Sequence, residues 1–152
     1  MIRTSRRMRL CIALLVCNLV FIWGNSMLPG DISGKISDWV KCILEALLPG
    51  TGEERTGSGF LIRKLAHFTE FAALGALLGW LFGMLKKRRI YPFLFGTAAA
   101  CIDETIQMFV PDRGPAIRDV CIDSCGILTG MFLLCLGHTW YQKYYHLNLE
   151  EL

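Results

Sequence analysis

The sequence predicts an all-α integral membrane protein: a four-transmembrane-helix bundle with N and C termini cytoplasmic and a short amphipathic helix in the first outer loop. Three observations predict it. Hydrophobic residues make up 53% of the 152 residues and mean hydropathy is +0.43, too high for an ordinary soluble domain of this size. Four apolar stretches are each long enough to cross a ~30 Å hydrocarbon core at ~1.5 Å per residue. The basic residues are clustered rather than spread, in "RTSRRMR" at the start and "KKRR" at Lys86–Arg89. The length suits a single domain, 1–152.

The first apolar stretch runs from about Leu10 to Leu28. Its arginine-rich start, apolar core and following Gly24 and Ser26 also fit a cleavable signal peptide, the rival reading. The loop Pro29–Lys64 comes next, and "ISDWVKCILEALL" within it is organised. Ile36, Trp39, Val40, Ile43, Leu44, Leu47 and Leu48 share one helical face, with Asp38, Lys41 and Glu45 opposite. That helix is too short to span and is expected either to lie on the outer membrane surface or to cap the bundle. Pro49-Gly50 ends it, and "PGTGEERTGSG" reads as a flexible connector.

The second span is predicted over Leu65–Leu85, the third over Ile90–Val110 and the fourth over about Val120–Trp140. The positive-inside rule puts both basic clusters in the cytoplasm, so the loops Pro29–Lys64 and Pro111–Asp119 face outward. The tail "HTWYQKYYHLNLEEL" opens with aromatics suited to the headgroup level. Of the seven cysteines, Cys11, Cys17, Cys101, Cys121, Cys125 and Cys135 lie in apolar runs and read as small buried or lipid-facing residues; Cys42 lies outside the spans. No Cys/His set completes a zinc pattern, and neither a resident metal nor a cofactor is expected.

Carboxylates inside these spans demand an explanation, since each costs on the order of 2.5–3.5 kcal/mol in hydrocarbon. Asp103 and Glu104 stand side by side in the third span, with Asp103 roughly 10 Å below the outer surface if Ile90 marks the inner boundary. Gln107 is one turn nearer that surface. The second span enters from outside with Arg63, Lys64, His67 and Glu70 within one arc. Asp119 and Asp123 lead the fourth, and Gly126 and Gly130 continue their stripe. Three helices thus bring polar residues to the same depth. Gly75, Gly79 and Gly83 form overlapping GxxxG units, and Gly126 with Gly130 forms another, so backbones can approach closely and turn the acids inward. The acids need cations or shared protons. Arg63, Lys64, His67, Arg113 and Arg118 are the available sources.

The blocks "RKLAHFTEFAALGALL", "DETIQMFVPDRG" and "RDVCIDSCGILTG", with "NSMLPG" at the end of the first span, resemble the signature blocks of the VanZ-like membrane family. The likeness runs from about Phe21 to Gly130. It implies a small polytopic protein of the cell envelope, in a family whose founding member is associated with resistance to teicoplanin. The phosphotransbutyrylase label of some relatives does not fit, because nothing here cradles a CoA or an acyl phosphate in a cytosolic fold.

Four functions compete. A binding module would hold the anionic headgroup of an envelope lipid or lipid-linked precursor, with Lys64, His67, Glu70, Asp103, Glu104, Gln107, Arg113, Arg118, Asp119 and Asp123 forming the pocket. An intramembrane hydrolase or transferase would draw its acid and base from His67, Glu70, Asp103 and Glu104, and acids with an imidazole could also ligate a divalent cation. A proton-coupled transporter is disfavoured, because no polar groups continue through the inner half of the spans. His138 and His146 are interfacial or tail residues. The last possibility is a polar network that only locks four helices together, at an average of about 0.6 kcal/mol per interhelical bond. The first is the leading expectation, in the cell membrane and without nucleic acid. Oligomeric state is left open.

Overall fold

Five helices, Arg6–Ser26 (α1), Gly30–Leu47 (α2), Ser58–Met84 (α3), Ile90–Gln107 (α4) and Ile117–Glu150 (α5), account for nearly all of the described chain. The computed structural model describes residues 6–47, 58–114 and 116–150, and no strand occurs among them. The side chains of Leu44 and Leu47, together with Leu48, the Pro49-Gly50 stop and the connector up to residue 57, lie outside what is described.

Among the described residues, three helices are long and apolar enough to cross a membrane: Arg6–Ser26, Leu61–Met84 and Ile117–Tyr144. The surface agrees with that reading. Val16, Val20 and Phe21 on α1, Leu94 and Phe95 on α4, and Phe132, Leu133 and Leu136 on α5 are all exposed, while Asp103 and Asp123 are buried. A water-soluble chain would have the reverse pattern. The third predicted span, α4, closes at Gln107 and carries two acids, so length and composition alone do not mark it as a crossing helix.

Several element boundaries differ from the sequence reading: α1 spans Arg6–Ser26, α2 starts at Gly30 and α4 ends at Gln107. α3 begins at Ser58, so Arg63 and Lys64 lie within the helix rather than in the loop before it. α5 continues past Trp140 as one unbroken helix, because nothing from His138 onward is a helix breaker and Trp140 stacks on Tyr144 one turn later.

α3 is the central helix and touches all four others. Its tightest partner is α5, and glycines explain why. A Cβ on Gly126 would meet the Phe68 carbonyl, one on Gly130 would collide with the Ala72 carbonyl, and one on Gly75 would collide with the backbone of Ile127. Phe68 meets Gly126, Ala72 meets Gly130 and Gly79 meets Leu134, so α3 and α5 run parallel. α4 runs against α5, since Thr97 faces Ser124 and Arg89 faces Cys135. α1 runs with α4: Trp23 reaches the Ala99 carbonyl and Ser26 reaches Gln107. Gly83 meets nothing within 4 Å, so the second GxxxG unit of α3 is not a packing seam here.

This arrangement sorts the chain's charge by end. The ends of α1 and α4 and the starts of α3 and α5 meet at one pole. The basic groups Arg7, Lys87 and Arg89 gather at the other, where they line a cavity of about 680 Å³ with Trp80 and His138. A left-handed Lys86 (φ 52°) makes the tight turn from α3 to α4 at that pole.

Candidate functional site

Asp103, Glu104 and Gln107 lie on the last turns of α4 and are 0%, 6% and 7% exposed. The Gln107 amide nitrogen donates to Asp103 Oδ2 at 2.8 Å, with Ser26 Oγ and Glu104 Oε1 each 3.4 Å away. The other oxygen of Glu104 accepts the Ala116 N–H at 2.9 Å, which ties the start of α5 to the end of α4. The two acids are therefore held by donors from α4 and the approach to α5, and Gln107 also links them to Ser26 of α1.

From α3, Glu70 Oε1 accepts from the Asn25 amide at 2.9 Å, and Glu70 Oε2 lies 3.9 Å from His67 Nδ1. One turn earlier Lys64 pairs with Asp119 of α5. Asp123, one turn deeper on α5, is 2% exposed.

Arg113 arrives from the turn between α4 and α5. Asp112 takes the left-handed conformation there (φ 59°), which Asp tolerates better than most residues. The turn is pinned twice. Gly30 N–H donates to the Pro111 carbonyl at 3.1 Å, and Arg113 donates to the Asn25 carbonyl at 3.0 Å. Gly30 is needed at that contact, since a Cβ would run into the Asp112 backbone. Burial and neighbouring Arg63 lower the Arg113 pKa, while Asp103, Glu104 and Glu70 oppose that shift, so its cation faces the acids.

These groups enclose a cavity of about 60 Å³ lined by Arg63, Lys64, His67, Arg113, Asp119 and Asp123, with Glu104 and Gln107 behind them. A water needs roughly 10–15 Å³ of such space, so the cavity admits a few waters, an ion or one small headgroup moiety. Several buried atoms around it have no hydrogen-bond partner, namely His67 Nδ1, Glu70 Oε2, Asp103 Oδ1, Arg113 Nε and Asp119 Oδ1.

Of the ten residues expected from sequence, Lys64, His67, Glu104, Gln107, Arg113, Asp119 and Asp123 line the cavity, and Asp103 and Glu70 are the next groups out. Arg118 does not line it; one helical step from Asp119, its side chain is exposed. Arg63 takes that place on the lining. Asn25 and Ser26 were not singled out as site residues, although each bonds a site side chain. Their signal was present in "NSMLPG", two small polar residues closing an apolar stretch at the depth of the acids.

Compared with known proteins, the chain matches the model of the family described as VanZ/LLP1 over residues 10–138. No curated protein and no solved structure matches it.

Proposed function

The chain belongs to the VanZ/LLP1 family, and from that premise we propose that it is a four-span protein of the cell membrane whose polar pole faces outward and binds the anionic headgroup of an envelope lipid or lipid-linked precursor. One observation carries the reading: Arg63, Lys64 and Arg113 converge on a single small cavity at the end of an otherwise apolar bundle. Guanidinium groups suit phosphate and carboxylate geometry, and Arg113 has a buried Nε without a partner. Exposed apolar groups at the same pole, among them Met27, Phe109 and Ile117, offer a collar for the acyl tail.

The orientation rests on the basic pole. Arg7, Lys87 and Arg89 stand opposite the cavity, and clustered basic residues remain on the cytoplasmic side. α4 then crosses with its acids sheltered by α1, α3 and α5 rather than facing lipid. Any effect on teicoplanin susceptibility follows from headgroup capture, through altered exposure of the lipid-linked target.

A second reading has one observation in its favour. His67 lines the cavity with Glu70 behind it, an imidazole–carboxylate pair suited to general-base work on a bound headgroup. Native mass spectrometry of the purified protein with envelope-lipid extract tests both. A retained lipid that is lost in Arg113→Ala supports headgroup binding, and a change in that lipid's mass on incubation supports hydrolysis or transfer. A wild-type protein that retains no lipid overturns both readings.

A further inference from the structure

We propose that Asp103, Glu104 and Asp123 form a site for one divalent, oxygen-seeking cation of the Mg²⁺, Mn²⁺ or Ca²⁺ type. Each of the three offers a carboxylate oxygen, and these oxygens lie within 4.8 Å of one another. Across a Ca²⁺-sized ion bound at 2.3–2.6 Å, opposite ligand oxygens are separated by roughly 4.6–5.2 Å, so the three oxygens are close enough to share one hard cation.

Clustering alone would not make a site, but two further observations point to a ligand. Asp123 is 2% exposed, lines the cavity and has no side-chain hydrogen bond among the described residues. Asp103 Oδ1 is buried and unpartnered as well, although Oδ2 of the same carboxylate is held by Gln107. A buried carboxylate oxygen facing a polar cavity with no donor is the arrangement that a cation completes.

The charges at this pole agree. Glu70, Asp103, Glu104, Asp119 and Asp123 are five carboxylates in or against the cavity, while Arg63, Lys64 and Arg113 are the basic groups that face it. Asp112 also lines the cavity, from its exposed rim. Lys64 is engaged with Asp119, and Arg113 is anchored on the Asn25 carbonyl, so neither basic group fills the space between Asp103 and Asp123. Carboxylates outnumber the basic groups at this cavity, an imbalance that a bound cation relieves. Oxygen-only ligands favour Mg²⁺, Mn²⁺ or Ca²⁺ over zinc or copper. The remaining coordination positions would open into the cavity, toward waters or a phosphate oxygen; only that last link rests on the headgroup reading.

Mn²⁺ is the probe. Electron paramagnetic resonance titration of the full chain, purified in detergent and stripped with EDTA, is expected to show one bound Mn²⁺ that Ca²⁺ or Mg²⁺ displaces. Asp123→Asn and Asp103→Asn should each weaken it by more than about tenfold, the scale on which even outer partners of metal ligands matter. Asp38→Asn, an exposed acid on α2, should leave it unchanged. Thermal unfolding guards against misfolded variants: Mn²⁺ should raise the wild-type midpoint but not that of Asp123→Asn. Absence of bound Mn²⁺ in the wild type overturns the proposal, as does binding that is undiminished in both variants. Because no lipid is present, that failure would leave the headgroup reading standing, and loss of lipid binding would leave this one standing.

Discussion

The Asn25 amide donates to Glu70 Oε1 at 2.9 Å, joining the last turn of α1 to α3 across 45 residues of sequence. The backbone carbonyl of the same residue accepts from Arg113 at 3.0 Å. Asn25 therefore fixes an acid on one side and a cation on the other, although its own side chain carries no charge. It sets the spacing between the α3 wall and the α4–α5 turn, which together form the cavity.

Replacing Asn25 by Ala should destabilise the protein by about 1–3 kcal/mol, because the partly buried Glu70 carboxylate loses its donor. Gly24→Ala is the control: a Cβ there meets nothing within 4 Å, and Ala is the better helix former. Thermal unfolding in detergent should separate the two. Equal midpoints would mean that the Asn25–Glu70 bond contributes no stability.

The glycines of the α3–α5 seam yield a sharper contrast. Gly130→Ala drives a Cβ into the Ala72 carbonyl, a fixed backbone atom that cannot swing aside, so folded protein should be largely lost. Gly83→Ala places its Cβ in open space and should be neutral or stabilising by up to about 1 kcal/mol. Yield of monodisperse protein by size-exclusion chromatography checks the pair. A Gly130→Ala protein as well behaved as Gly83→Ala would contradict the close parallel contact of α3 and α5.

Lys64 and Asp119 form an ion pair whose side chains are only 15% and 14% exposed. A double-mutant cycle with Lys64→Met and Asp119→Asn should give a coupling of about 1.5–3 kcal/mol, the range for hydrogen bonds to charged groups. A freely solvated pair would give less than about 1 kcal/mol and would fade in high salt. Unfolding midpoints at low and high salt distinguish these outcomes.

Much of this pole was legible in the sequence because periodicity and depth can be read without knowing which helices touch. Lys64, His67 and Glu70 on one arc, Asp103 and Gln107 one turn apart, and Asp123 on the stripe of Gly126 and Gly130 all meet where those patterns placed them. The turn between α4 and α5 was not legible. Whether Arg113 or Arg118 enters the cavity depends on the left-handed Asp112 and on Gly30 pinning the Pro111 carbonyl, a contact between segments about eighty residues apart. Asn25 and Ser26 were missed for a similar reason: a short polar pair at a helix end has no periodicity, and only the neighbouring helix shows what it bonds. Gly83 errs in the other direction, as a repeat that fits a packing motif but lies beyond the contact with α5.

The sequence left two placements open for the amphipathic helix α2, and the exposures favour one. Ile36, Trp39, Val40 and Ile43 are 49%, 68%, 40% and 40% exposed, whereas Ser37, on the flank of that face, is buried. The apolar face therefore points away from the protein. A cap on the bundle would bury that face against the spans; a helix lying in the membrane interface would present it to lipid. With Trp23, Trp80 and Trp140 replaced by Phe, the remaining Trp39 should emit at short wavelength in vesicles and be quenched by lipids brominated near the headgroup more than by lipids brominated at the chain ends. Trp39→Glu should not lower the unfolding midpoint in detergent, because no packed contact is lost, but it should disturb α2 in a bilayer. Trp39 emission like that of tryptophan in water, with no quenching by either lipid, would place the face in solvent. Quenching strongest from the chain ends would instead make α2 a deeply inserted helix, which its Asp38 does not suit.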